Sequence, residues 1–251
     1  MKIARFSNGA EPRYGIVDGP ELVVLKGHPL AVGYDTTGER IPLKEVKLLA
    51  PTIPSKVICI GKNFAEHAAE IGEEATIEPL IFFKPSSAII GHGDAIVLPE
   101  QSGQVELEAE LTLVIGKIAK NVSEKDALDY IFGYTIANDV TARDLQLTDG
   151  QWARSKAFDT FCPLGPWIET EFLPEEQVVE SRINGVVKQH SSITKMTHNI
   201  QTIVSHVSKN MTLLPGDIIL TGSPAGISVI NSGDLIECEV EGIGILANTV
   251  V

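Results

Sequence analysis

Apolar residues recur at alternate positions along much of the chain, in short runs cut by glycine and proline. That period belongs to strands rather than helices. Over residues 1–50 the runs KIARF, YGIVDG and ELVVL predict strands joined by turns, with no helical period. This reading gives a small N-terminal β-rich unit. The segment LLAPTIPSK, with Pro51 and Pro54, marks a junction, and residues 51–251 form the larger unit. There VICIG is a buried strand, FAEHAAEIG has helix-forming composition with Gly72 as its stop, and LIFFKP and AIIGHGDAIVLP return to strands. Ser123 and Asp126 resemble a capping box and predict a helix over EKDALDYIFG. YTIAND is a short apolar strand ending in a carboxylate. GPWIET, ESRINGVVKQH with a hairpin signal at Asn184-Gly185, GDIILTGSPAG and DLIECEVEGIGILANTVV complete a strand-dominated last third, interrupted by one helix over NIQTIVSHVSKNM. The predicted fold class is strand-rich α+β.

Length and hydrophobic content, 251 residues and 43%, allow one large core with a small appendage. Twenty Lys and Arg stand against 33 Asp and Glu, a net charge of −13, which argues against nucleic acid as a partner. An anionic substrate would need a locally basic pocket. Three scattered cysteines, Cys59, Cys162 and Cys238, lack metal-ligand spacing and fit buried thiols in a reducing compartment. The first residues, MKIARFSNG, read as a strand and turn rather than a signal peptide, and no apolar stretch has the length of a membrane span. The expected setting is cytoplasmic, without a membrane partner.

Within this frame the run VELEAELTLVIG places Glu106, Glu108 and Glu110 at alternate positions, on one face of an extended chain. Three like charges so placed raise one another's pKa unless a positive group intervenes, and a hard divalent cation is one remedy. A solvated acidic face on a half-exposed strand is the other reading. Asp139, at the exit of YTIAN, is either a turn residue or a third oxygen ligand. Arg143 follows it by four residues. Lys84 ends IFFK before Pro85, and Lys156 sits in the loop ARSKAFDTFCPLGP, both in surroundings that suit partial burial. His67 and Glu70, at i and i+3 of a helical turn, share a face, so the carboxylate can orient the imidazole; a mixed-charge surface helix is the alternative.

The ordered segments ICIGKNFAEHAAE, IFFKPSSAI, ELEAELTLVIGK, GYTIANDVTARDLQ, QWARSKAFDTFCPLGPW, INGVVKQ, GDIILTGSPAGIS and GDLIECEVEGIGILAN resemble the fumarylacetoacetate hydrolase family. The nearest branch is that of acylpyruvate hydrolases, oxaloacetate decarboxylases and 2-hydroxyhepta-2,4-diene-1,7-dioate isomerases. The resemblance runs from about residue 56 to the C-terminus. It implies a mixed β-sheet/roll catalytic domain, usually in a homodimer. It implies Glu108, Glu110 and Asp139 as ligands of Mg²⁺ or Mn²⁺, with Ca²⁺ also admissible, and Glu106 outside that set. It further implies Arg143 and Gln146 beside the metal, Lys156 facing the substrate, and His67 with Glu70 as an acid–base dyad.

Two positions depart from the family pattern. Ser223 stands in TGSPAG where the family has a substrate-contacting threonine, and Ser155-Lys156-Ala157 replaces Gly-Lys-Ser/Gly. Ser223 keeps the hydroxyl. Lys84, with Arg143, Gln146 and Ser223, completes the expected substrate-binding set. His92, His190, His198 and His206 have no partner in sequence and read as structural or surface residues. The implied activity is divalent-metal-dependent cleavage of a C–C bond in a small anionic 2-oxo or diketo acid. The alternatives are isomerisation or tautomerisation at the same site and, less favoured, a non-catalytic metal-binding scaffold.

Overall fold

The computed structural model describes residues 1–251, and strands dominate it. Twelve strands build one mixed sheet, and separate three-stranded and five-stranded sheets pack against it. The strands Lys2–Ser7, Arg13–Asp18, Glu21–Leu25 and Thr36–Pro42 follow one another in antiparallel ladders. They bury a small core of Ala4, Phe6, Leu22, Val24 and Ile41. They do not form a separate sheet: Lys2–Ser7 pairs with Cys162–Glu169 and so extends the large one.

At the centre, Ala109–Ile115 lies between Ile131–Asn138 and Ile218–Leu220, antiparallel to both. Every residue of Ala109–Ile115 is buried, because both faces of the strand carry core. Leu111 and Leu113 point into the main cluster with Val179, Ile236 and Leu246 of the five-stranded sheet. Val114 points the other way, among Val57, Cys59, Ala137 and Leu220. By the twofold period, Glu110 shares the face of Val114. The acidic run is therefore no solvated edge, and that reading fails.

A second correction concerns the continuity of the run. Val105–Leu107 belongs to the three-stranded sheet, paired with Thr141–Ala142 and Ser228–Val229, whereas Ala109 opens the large sheet. Glu108 is the residue at the break. Its N–H is taken by Asn138 Oδ1 at 2.9 Å, that of Ala109 by Gln189 Oε1 at 2.9 Å, and its carbonyl accepts from Asp139 N at 2.8 Å. Side chains thus satisfy the backbone groups that a continuous ladder would have used.

Helices are few. Asn199 caps Ile200–Asn210 by accepting from Thr202 N at 2.9 Å, and Ile200, Ile203, Val204 and Val207 form its buried stripe. The Asn184-Gly185 hairpin forms with both residues at positive φ, 51° and 77°. The predicted helix over EKDALDYIFG is instead a 3₁₀ helix, Glu124–Tyr130. Ser123 caps it, but the shorter Asp126 carboxylate meets the Ser123 hydroxyl at 2.7 Å instead of reaching back to its N–H. Ile131 and Phe132 then enter the central sheet, which ends the helix. The single turn Ala153–Lys156 is helical where the sequence read as loop, and Arg143–Asp149 is a helix for which no element was predicted; segments this short show no period.

Candidate metal centre

Two strand ends bend together at the break, and this assembles the site. Glu108 stands at the break, Glu110 two residues into the large sheet, and Asp139 immediately after Asn138, the residue opposite Ala109. One oxygen from each carboxylate lies within 4.8 Å of the others. All three side chains are buried. Such a group costs several kcal/mol per ion unless cations or donors compensate it (of order that size).

Lys156 and Arg143 supply part of that compensation. Lys156 Nζ lies 2.9 Å from Glu108 Oε2 and 2.6 Å from Asp139 Oδ2. The Arg143 guanidinium bonds Glu106 Oε2 at 2.7 Å, and also Glu108 and the Gln146 amide oxygen. Burial raises the Glu108 carboxyl, but Lys156 and Arg143 outweigh it and hold the group well below the usual range. Burial lowers the Lys156 ammonium, and Asp139 with Glu108 outweighs that in turn, so its pKa rises.

Glu110 is different. It accepts one backbone N–H, from Gly222, and pairs with no cation. Burial first, then the Asp139 and Glu108 charges, push its carboxyl well above the usual range. An all-oxygen, all-carboxylate set with one member uncompensated fits a hard divalent cation and lacks the thiolate or imidazole that zinc sites favour. The donor chemistry therefore suits Mg²⁺ or Mn²⁺.

The cluster lines a narrow, partly open pocket of about 20 Å³, enough for one water. Eight of the ten residues singled out in the sequence line it: His67, Glu108, Glu110, Asp139, Arg143, Gln146, Lys156 and Ser223. Glu70 stands behind His67, with Oε2 at 3.4 Å from Nδ1; its carboxylate also accepts from Gly226 N at 3.1 Å. The helix Ala65–Glu70 is thereby tied to the TGSPAG turn.

Lys84 requires a correction. It does not face the cavity; its buried ammonium bonds Asp139 Oδ1 at 2.6 Å and the Val140 carbonyl at 3.0 Å. It holds Asp139 from behind. A separate groove of about 970 Å³ between Pro42–Lys44 and His92–Asp94 is lined by none of the ten.

Several participants escaped the sequence reading. Gln189 is wholly buried and spends its amide four ways: Oε1 accepts from Ala109 N at 2.9 Å and Ser181 Oγ at 2.8 Å, and Nε2 donates to Ser223 Oγ at 2.6 Å and Pro224 O at 2.7 Å. It joins the ligand strand to the Ser223 turn. Asn63 does the same for Thr221 and His198, through bonds of 2.7–3.0 Å. Lys62 and Trp152 also line the cavity. Gln189 stands among Lys188, His190, Ser191 and Ser192 on a mostly exposed strand, so nothing in the sequence set it apart.

Comparison with known proteins identifies the family that shares this fold. Residues 56–251 match the fumarylacetoacetate (FAA) hydrolase C-terminal family, and residues 1–51 match the Rv2993c-like N-terminal family. Oxaloacetate tautomerase fahd2, mitochondrial, of Xenopus laevis is 41% identical over 230 residues, 86% of this chain and 72% of that protein. The crystal structure of 2-hydroxyhepta-2,4-diene-1,7-dioate isomerase from Mycobacterium marinum superposes with a TM-score of 0.93 at 43% identity, covering 100% of this chain and 98% of the other. Maleylpyruvate hydrolase from Sphingobium sp. SYK-6, solved in complex with manganese(II) ion and pyruvate, superposes at 0.83 with 31% identity, covering 100% and 99%. No helix of this chain is long and apolar enough to cross a membrane.

Proposed function

The chain belongs to the fumarylacetoacetate hydrolase family, and from that premise we propose that it enolises a small anionic 2-oxo acid with the help of a divalent cation. Members of this family are enzymes, so the scaffold alternative falls away. The observation that carries the proposal is the meeting of Glu108, Glu110 and Asp139 on the wall of a cavity shared with Lys156, Arg143 and His67. Mg²⁺ or Mn²⁺ held by the three carboxylates, or Ca²⁺ as another hard cation, would supply a Lewis acid for the 2-oxo oxygen.

The chain's own groups do the rest. Four buried carboxylates (Glu106, Glu108, Glu110, Asp139) face three buried cations (Lys84, Arg143, Lys156), a formal balance of −1. With a divalent ion held there the balance would become +1, a pocket receptive to an anion. Arg143, Gln146 and Ser223 then meet the substrate carboxylate. Lys156 offers its ammonium to the oxygen on which enolate charge grows. His67, oriented by Glu70, accepts the proton leaving the carbon next to the 2-oxo group and returns it to complete the tautomerisation.

Tautomerisation or isomerisation comes first because the relatives at 41% and 43% identity bear those names. C–C bond cleavage, by hydrolysis of an acylpyruvate or decarboxylation of oxaloacetate, is the second reading; the maleylpyruvate hydrolase relative favours it. His67 would then deprotonate a water that attacks the distal carbonyl. Assays of oxaloacetate, acetylpyruvate and a hydroxydienedioate with Mg²⁺ or Mn²⁺ separate the outcomes. An absorbance change without fragmentation supports the first reading, pyruvate plus acid or CO₂ the second. Full turnover after chelation rejects both. The same proposal takes residues 1–50 and 51–251 as the two units, and a homodimer in the cytoplasm as the working state, in keeping with three buried free thiols.

A further inference from the structure

Of the cationic chains lining the cavity, Arg143 and Lys156 already bond carboxylates of the cluster and are assigned to the 2-oxo acid end of the substrate. Lys62 is not. It follows the strand Val57–Gly61 and is one of the non-glycine residues held at positive φ, 57°. A lysine gains nothing locally from that backbone; such strain persists where the surroundings hold it, and it concentrates at ligand sites. Here the neighbours leave little freedom. Trp152 packs so closely on Gly61 that a Cβ there would lie 2.7 Å from the indole, and the Lys62 ammonium stands 5.7 Å from the same ring.

The ionic partner of Lys62 is Glu73, eleven residues on and outside the carboxylate cluster. The side chains are 14% and 47% exposed, so the pair spans the boundary between cavity and solvent. A pair this exposed is cheap to exchange. The pocket's 20 Å³ is smaller than a 2-oxo acid, and Lys62 lines it from the side that meets solvent. We infer that Lys62 selects dicarboxylic 2-oxo acids, taking the distal carboxylate of the substrate in exchange for Glu73. The inference rests on the proposed 2-oxo acid site and adds the end of the molecule that the metal centre does not reach. A monoacid would offer Lys62 nothing for the loss of Glu73.

Displacement of oxalate from the Mn²⁺-loaded protein tests this. Oxalate lacks a distal group, and its Mn²⁺-dependent binding reports the underlying site alone. The competitors are matched pairs: oxaloacetate with 2-oxobutanoate, and 2-oxoglutarate with 2-oxopentanoate, a methyl replacing the distal carboxylate in each monoacid. The wild type is expected to prefer at least one diacid by about tenfold or more, the worth of one charge-assisted hydrogen bond. In Lys62→Asn, a residue that tolerates the left-handed backbone, the preference should shrink to roughly threefold or less. Lys62→Gly serves as the second variant should Asn disturb folding. Glu73→Gln should tighten the diacid. A diacid preference that survives in both Lys62 variants, or is absent from the wild type while oxalate still binds, overturns the role of Lys62. Failure of Glu73→Gln to tighten the diacid overturns the exchange. If oxalate does not bind the Mn²⁺-loaded protein, the 2-oxo acid site fails and this inference with it.

Discussion

Two clusters of acids and bases lie along one sheet, and burial separates what they do. Near one edge, Arg40 on Thr36–Pro42 bonds Asp18 at 2.5 Å and Glu21 at 2.8 Å, with all three side chains well exposed. Towards the other edge, Lys84 and Lys156 hold Asp139 at 2.6 Å with every partner nearly sealed from solvent. Distances and residue types are alike. Water screens the first cluster and its long side chains are free to exchange partners, so its geometry specifies little. In the second, each charge has a fixed neighbour, and a missing partner leaves an ion in a medium that cannot solvate it. Only the second can hold a deficit of positive charge at a defined point, which is what a cation site requires.

Breaking the buried cluster at that deficit should give the largest effect. Glu110→Gln is expected to lower kcat/KM by about 10³-fold or more, measured with added Mn²⁺. Its Tm should be unchanged or higher, because the amide relieves like-charge repulsion without orphaning a cation. A variant with wild-type turnover would remove Glu110 from the ligand set. Lys84→Met should instead act on stability. It leaves Asp139 without its rear partner and should cost about 3–5 kcal/mol in denaturant unfolding.

Gln189→Glu tests the layer beneath the charges. The carboxylate keeps the bonds from Ala109 and Ser181 but cannot donate to Ser223 and Pro224, and a loss of roughly 10–100-fold in kcat/KM is expected. A loss confined to Tm would make Gln189 a packing residue only. Last, Arg40→Ala in the exposed cluster should leave kcat/KM at the wild-type value and Tm within roughly 2 °C of it. A large drop there would erase the contrast between the two regions.

Much of this molecule follows from local pattern. Alternation of apolar residues predicts the strands, Asn184-Gly185 the hairpin, and the composition of NIQTIVSHVSKNM its helix, because each depends on neighbours within a few positions. Spacing alone made Glu106, Glu108 and Glu110 legible as like charges on one face, wanting either water or a cation; the choice of Glu108, Glu110 and Asp139 as a set came with the family resemblance. The tertiary structure decided what those groups meet. The run of glutamates breaks at Glu108, where Asn138, 30 residues on, takes the Glu108 N–H and Gln189, 80 residues beyond Ala109, takes the Ala109 N–H. Lys84 turned from a candidate for substrate into the support of Asp139, 55 residues on. Lys62 came to border the cavity through Trp152 and the backbone turn after Gly61. Local pattern records which face a side chain leaves by. The identity of the group waiting there is set by sheet pairing across the whole chain, and with it whether a charge is screened, paired or left wanting an ion.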